Sequence, residues 1–290
     1  MIALIVEQLF NGLVSGAIYA LMASGLSLIW GTLKMLNFAH GEFYMLGGYF
    51  AYFALLLGGL SPLLAIPIAM AGAGLAGILL ERLVIHPLLE QPGWDVSPII
   101  ATLGVSIFLQ NLALYLWGER FKNIPYYLEG GVGLLGLRMA RQRVLIVVVT
   151  VVMIAFVVAL LRWTRWGMAL RATAQDRDAA LLAGIDVHAV YLWTLGLAGA
   201  LAALAAAMIA PIYSVNPWMG TALLLKAFIV CVLGGLGSLG GAILGGILLG
   251  SAESLTVLLW SSEWKDVVAF LLLILVLWVR PAGLMGTREW

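Results

Sequence analysis

Residues Trp163 to Val187 read WTRWGMALRATAQDRDAALLAGIDV, a polar stretch between two long uncharged runs. Arg162, Arg165, Arg171 and Arg177 gather here with Asp176, Asp178 and Asp186. Basic side chains resist transfer across a bilayer, so four arginines beside an apolar run place this stretch on the cytoplasmic side of a membrane. It also encodes a short helix. Thr173 or Asp176 suits the start, Asp176 and Asp178 favour the positive end of the helix dipole, and Gly184 suits a left-handed stop. Ala179, Ala180, Leu181, Leu182 and Ala183 give the helix a small, partly apolar surface. Two readings follow: a charged loop that only sets topology, or a docking helix through which a soluble motor moves the membrane part.

The flanking runs decide the fold class. The 290 residues are 63% hydrophobic and 10% charged, with a mean hydropathy of +1.09. No soluble domain of this size solvates such a surface, so the solvent is lipid. Gln8 to Leu33, Phe43 to Leu80, Val96 to Gly118, Val144 to Leu161, Val190 to Leu225 and Ala227 to Ala252 carry no Asp, Glu, Lys or Arg. A spanning helix takes roughly 20 apolar residues, so the longest runs hold more than one crossing. The ten-residue alternation of a β-barrel is absent. The expected architecture is an all-α polytopic integral membrane protein, one domain over residues 1–290, with eight or nine membrane segments in two weakly similar halves. Lys and Arg are missing before Lys34, so the first run lacks the basic start of a cleaved leader and is expected to stay as a span. Cys231, in an apolar run, reads as a small packing residue.

Along the chain, Gly12 and Gly16, and Ala20 and Ser24, set small residues four apart on the first span, a spacing that lets helix backbones approach closely in lipid. Phe43 to Leu57 is short, interrupted by Gly47-Gly48. Pro62 to Leu80 follows, then a connection punctuated by Pro87, Pro92, Gly93 and Pro98, and a span from Ser97 to Trp117. The external link from Glu119 to Arg143 is itself basic and rich in glycine near Gly130 to Gly136, which blunts the charge argument for the first half. Beyond the polar stretch come Val190 to Ile212, the short Thr221 to Leu236, Ala242 to Leu259 and Asp266 to Val279. Arg280 and Arg288 place the C-terminus in the cytoplasm.

Met45-Leu46-Gly47-Gly48 and Val232-Leu233-Gly234-Gly235 sit in short apolar segments of the two halves. Matching Gly-broken spans point to a transport path, although a glycine also serves close helix crossing. Between Asp186 and Glu253, Lys226 is the sole Asp, Glu, Lys or Arg. A charge in a span costs roughly 2.5–3.5 kcal/mol on insertion scales, so Lys226 either snorkels to the outer interface or faces protein, and Glu253 reads as a carboxylate bonded between helices. Asn37, His40, Glu42, Lys226, Gly234, Gly235 and Glu253 are the candidates for a substrate path, with Glu42 favoured by the dipole of the next helix. No metal-ligand or Ser/His/Asp spacing emerges, and no GxxxxGK[ST] phosphate loop is present, so the chain is expected to bind no metal and no ATP of its own.

Asn37 to Glu42 (NFAHGE), Ser106 to Asn111 (SIFLQN), Leu182 to Ile185 (LAGI), Lys226-Ala227-Phe228, Val232 to Ser238 (VLGGLGS) and Lys265 to Val268 (KDVV) fall in the order found in a known family. Together they resemble the LivH-like permease subunits of bacterial branched-chain amino acid ABC importers, from about Leu9 to Gly286. The resemblance implies a multi-pass subunit of the bacterial inner membrane. Its implied partners are a second, LivM-like permease, two cytoplasmic ABC ATPases carrying ATP and Mg, and a periplasmic substrate-binding protein. No nucleic acid is among them. It makes residues 163–187 the ATPase-coupling loop, with Arg171, Asp176, Arg177, Asp178, Leu181 and Gly184 as contact residues. Gln175 stands where relatives carry glutamate, and His86 where they carry arginine. Substrates in the family extend to urea, amides and aromatic acids. Competing classes are a secondary transporter driven by protons through Glu42, His40 or Glu253, and a membrane scaffold that transports nothing.

Overall fold

A computed structural model describes residues 2–89, 97–134 and 137–286. Pro92, Gly93, Gly136 and Arg288, used above as punctuation or charge, lie outside these residues. Helix α1 (Ile2–Leu33) runs through the middle of the bundle. Two of its hydroxyls are satisfied within the helix: Ser24 donates to the Ala20 carbonyl at 2.6 Å and Thr32 to that of Leu28 at 2.8 Å. That arrangement lets polar side chains sit in an apolar interior. The following elements are α2 (His40–Tyr52), α3 (Pro62–Leu80), α4 (His86–Leu89), α5 (Ser97–Trp117) and α6 (Arg141–Trp163). The second half of the chain forms α7 (Arg165–Gln175), α8 (Arg177–Leu182), α9 (Val187–Ile209), α10 (Met219–Gly234), α11 (Leu239–Leu259) and α12 (Lys265–Val279). A small antiparallel hairpin, β1 (Gly131–Leu134) with β2 (Leu137–Ala140), occupies the link before α6.

Six helices are long and apolar enough to cross a membrane, and α10 is a shorter apolar helix. Among the described residues, α2, α10 and α12 are shorter helices of 13, 16 and 15 residues. On one face Arg143, at the start of α6, donates to Asn11 near the start of α1. On the other, the Leu284 and Met285 amides donate to the Leu233 and Gly234 carbonyls at the end of α10, both at 2.9 Å. α11 runs antiparallel to α1, with Gly250 against Gly12 and Gly237 against Gly31, so the start of α1 and the segment after α12 lie on opposite faces.

The two halves repeat with inverted direction. α1 packs on α11 as α9 packs on α3, and α2 meets α5 as α10 meets α12. Glycine makes both long crossings close. A β-carbon on Gly250 would stand 2.4 Å from the Gly12 carbonyl oxygen, and one on Gly77 would stand 2.3 Å from that of Leu195. The small-residue spacing read along the first span is the α1–α11 seam. Gly16→Ala places a methyl 2.7 Å from the Gly246 carbonyl oxygen, with backbone on both sides. It is expected to cost about 1–3 kcal/mol by overpacking, read as a lowered unfolding midpoint in detergent.

Pairing Gly47-Gly48 with Gly234-Gly235 needs correction. α2 runs unbroken through Gly47, which lies against Ala203 of α9, and leaves α-geometry only at a π-helical turn, Phe53–Leu57. Gly235 does break the chain, with φ of 104° after the end of α10. The true register of the repeat is Asn37 with Asn216. Each Asn side chain accepts the amide two residues on at 3.0 Å, Ala39 in one half and Trp218 in the other, and each helix starts three residues after its Asn. The glycines four residues after them, Gly41 and Gly220, face one another: a β-carbon on Gly220 would lie 2.1 Å from the Gly41 carbonyl oxygen. Two short helices thus begin nose to nose within the bundle.

Candidate functional site

A cavity of about 660 Å³ opens on the Asn11 face. Tyr19, Ile18, Ile209, Ile212, Lys226 and Glu253 are among its lining residues. At its wall α1, α10, α11 and α12 bring together a charge network. Lys226 Nζ lies 2.6 Å from Glu253 Oε1 and 3.2 Å from Asp266 Oδ1. The Tyr19 hydroxyl donates to Glu253 Oε2 at 2.7 Å, and the Lys226 ammonium stands 5.6 Å from the Tyr19 ring centroid. Lys226 therefore does not snorkel alone; it is ion-paired. Glu253 is the interhelical carboxylate expected. A buried carboxylate is tolerable only when paired and hydrogen-bonded, and both of its oxygens are.

The other path candidates lie elsewhere. Asn37 is spent on the turn before α2, and His40 is buried with Nε2 3.1 Å from the Met22 carbonyl oxygen. Glu42, in the first turn of α2, accepts from Ser106 of α5 at 3.0 Å. Asn37, His40 and Glu42 lie outside the cavity lining, and Gly234 and Gly235 sit at the opposite face against Gly241, Gly283 and Gly286. Sequence reasoning missed Tyr19, Tyr44, Asn11 and Arg143, uncharged or loop-edge residues with no local signal. A second cavity of about 360 Å³ lies on the opposite face, between Ser27 and Gly31 of α1, Arg162, Arg171, Leu239 and Gly240.

The polar stretch forms two helices where one was expected, starting at Thr173 or Asp176. Thr164 caps α7, accepting from the Gly167 amide at 3.0 Å. Thr173 is inside α7, its hydroxyl returned to the Ala169 carbonyl. Asp176 breaks the run and caps α8, accepting from the Asp178 and Ala179 amides at 2.9 and 3.0 Å. α8 stops as expected at Gly184, with φ of 80°. The Ile185 amide donates to Ala180 and that of Gly184 to Leu181, both at 3.0 Å, which closes a Schellman motif. Asp186 then caps α9 through the Ala189 amide. Ala180 is buried, while Leu181 is 46% and Leu182 91% exposed. Arg171 donates to the Leu161 carbonyl at the end of α6. Asp176→Ala is expected to cost α8 about 1 kcal/mol, so that its first amides exchange hydrogen about fivefold faster.

Linear spacing shows no metal ligands, but folding brings Glu81, His86 and His188 together. One ligand atom from each lies within 4.8 Å of the others.

The inverted halves, the apolar spans and the cavity on each face define a helical membrane protein of the permease type. The family model described as "Branched-chain amino acid transport system / permease component" matches residues 8–277. A high-affinity branched-chain amino acid transport system permease protein, BraD of Pseudomonas aeruginosa, is 39% identical, covering 98% of this chain and 96% of its own. LivH of Escherichia coli K12, with the same description, is 36% identical at the same coverage. Among solved structures, PsaBC from Streptococcus pneumoniae in complex with Fab aligns over 97% of both chains with a TM-score of 0.53 at 15% identity, a likeness of fold alone. The chain belongs to the branched-chain amino acid transport system permease family.

Proposed function

We propose that this permease moves branched-chain or similar apolar amino acids inward across the bacterial inner membrane, within an assembly driven by ATP. The partners would be a second, LivM-like permease, two cytoplasmic ATPases that carry the ATP and Mg, and a periplasmic binding protein. The observation that carries the reading is α8: a helix of one and a half turns, locked at both ends, that holds Leu182 out beside α7 and α9. Such rigidity is unnecessary in a linker and useful in a handle. With α8 in the cytoplasm, the larger cavity faces the periplasm. Its lining mixes polar residues with the aliphatic Val14, Ile18, Ile209, Ile212 and Leu223, which suit an aliphatic side chain, and its volume lies within the range of small-molecule pockets, about 300–1,000 Å³. Lys226 and Glu253 neutralise one another, Arg143 and Lys265 also line the cavity, and specificity is left to the delivering protein. Of the residues a proton-driven mechanism would use, Glu42 and His40 lie outside the cavity lining, and Glu253, at its wall, is held by Lys226 and Tyr19.

The test is reconstitution of the chain in vesicles with its partner permease, ATPases and binding protein. Leucine, isoleucine and valine are expected to stimulate ATP hydrolysis and uptake. Stimulation by urea, an amide or an aromatic acid alone would reassign the substrate. Uptake that persists without ATP under a proton gradient would overturn the mechanism.

A further inference from the structure

We infer that Glu81, His86 and His188 form a binding site for one divalent transition-metal ion of the zinc type, tying the end of α3 to the start of α9. The backbone makes the site. Between α3 and α4 the helix widens into a π-turn, Glu81–Ile85, and the His86 amide donates to the Glu81 carbonyl five residues back. In an α-helix, side chains five apart diverge by about 140°. The wider turn brings them onto one side, and Glu81 Oε1 lies 3.8 Å from His86 Nδ1. Single π-turns of this kind recur at functional sites. His188, the second residue of α9, closes the group from the facing helix, its ring centroid 4.3 Å from that of His86 at an interplanar angle of 65°.

The polar atoms are arranged as ligands without a hydrogen-bonding scheme among themselves. Glu81 is 2% exposed and its Oε1 has no hydrogen-bond partner; the buried Nδ1 of His188 has none either. Leaving a buried carboxylate oxygen unmatched costs about 1–3 kcal/mol or more, a cost a bound cation removes. One carboxylate and two imidazoles form a nitrogen-rich set, which favours zinc, cobalt or nickel over magnesium and calcium. Zinc bonds of about 2.0–2.2 Å put tetrahedral ligand atoms roughly 3.4 Å apart. The present spacing reaches that with a shift of about 1 Å, available to His86, whose side chain is 38% exposed. The same exposure gives an ion its entry and leaves a fourth position for water. Arg82 in this turn is exposed, so its opposing charge is screened by solvent.

The experiment uses the full chain, purified in detergent on a tag free of histidine and stripped with a chelator. Zn²⁺ is titrated in competition with a chromophoric chelator, and Co²⁺ absorption is recorded in parallel. One Zn²⁺ per chain is expected, with visible Co²⁺ bands of a four- or five-coordinate nitrogen and oxygen site. His86→Ala and His188→Ala are each expected to weaken Zn²⁺ binding by about tenfold or more and to abolish the thermal stabilisation that Zn²⁺ confers. Wild-type affinity in both variants, or no stoichiometric binding by the wild type, overturns the proposal. Should His188→Ala fail to fold, the partly exposed His86 still decides it through His86→Ala and His86→Gln. None of these readouts depends on transport.

Discussion

Leu182→Asp is expected to reduce uptake in the reconstituted assembly to about a tenth of wild type or less, while the chain still inserts and purifies in normal yield. Leu182 is almost fully exposed on α8 and touches nothing that holds the fold together, so its replacement leaves the membrane part intact. If α8 seats in an ATPase groove, this side chain is the apolar anchor. Anchors of that kind carry about 2 kcal/mol or more, and a carboxylate in the groove adds an unpaired desolvated charge. Co-purification of the ATPases should weaken in step, and substrate should no longer accelerate hydrolysis. Charge reversal at Arg171 together with Arg177 acts in the same direction for a different reason. Arg171 holds the end of α6, so its reversal disturbs how α8 is carried as well as what it touches. Undiminished uptake by Leu182→Asp would remove the handle role from α8.

The parts legible in sequence are those set by neighbours in the chain. Asp176 and Gly184 mark the ends of α8 because cap and stop are local chemistry, and the apolar runs mark the spans because lipid selects composition residue by residue. Thr173 misled because capping chemistry also suits a hydroxyl inside a helix that bonds back to its own turn. The glycine doublets misled more deeply. Gly47 is small so that α9 can approach, whereas Gly235 takes a positive φ that ends a helix; the same letters answer different demands. The genuine repeat, Asn37 with Asn216 and Gly41 with Gly220, is carried by two backbone turns in otherwise dissimilar sequence. The pairing of Glu81 with His86 escaped notice because helical periodicity assumes an α-turn where the chain makes a π-turn. In each case the missing information is geometric, and it resides in a partner helix or a local change of pitch.

Lys226→Met is expected to destabilise the fold by roughly 3–5 kcal/mol, the range for breaking a buried pair by removing one partner. The sequence shows only a lone base amid apolar residues, since its partners Glu253 and Asp266 arrive on α11 and α12. Removing the ammonium leaves Glu253 with the Tyr19 hydroxyl as its remaining described partner, on a side chain only 4% exposed. Glu253→Gln is expected to cost less, about 1–2 kcal/mol, because Lys226 is 19% exposed and keeps Asp266 at 3.2 Å, while the amide oxygen still accepts from Tyr19. The double variant Lys226→Met with Glu253→Gln removes both charges and should recover most of the loss, as buried pairs replaced together often do. Unfolding midpoints of the four proteins form a double-mutant cycle whose interaction free energy isolates the pair. Additive losses would mean that lipid or water, and not Glu253, balances the lysine. A recovered double variant that folds but no longer transports would place these charges in the passage of substrate; one that both folds and transports would confine them to pinning α10 against α11 at the cavity wall.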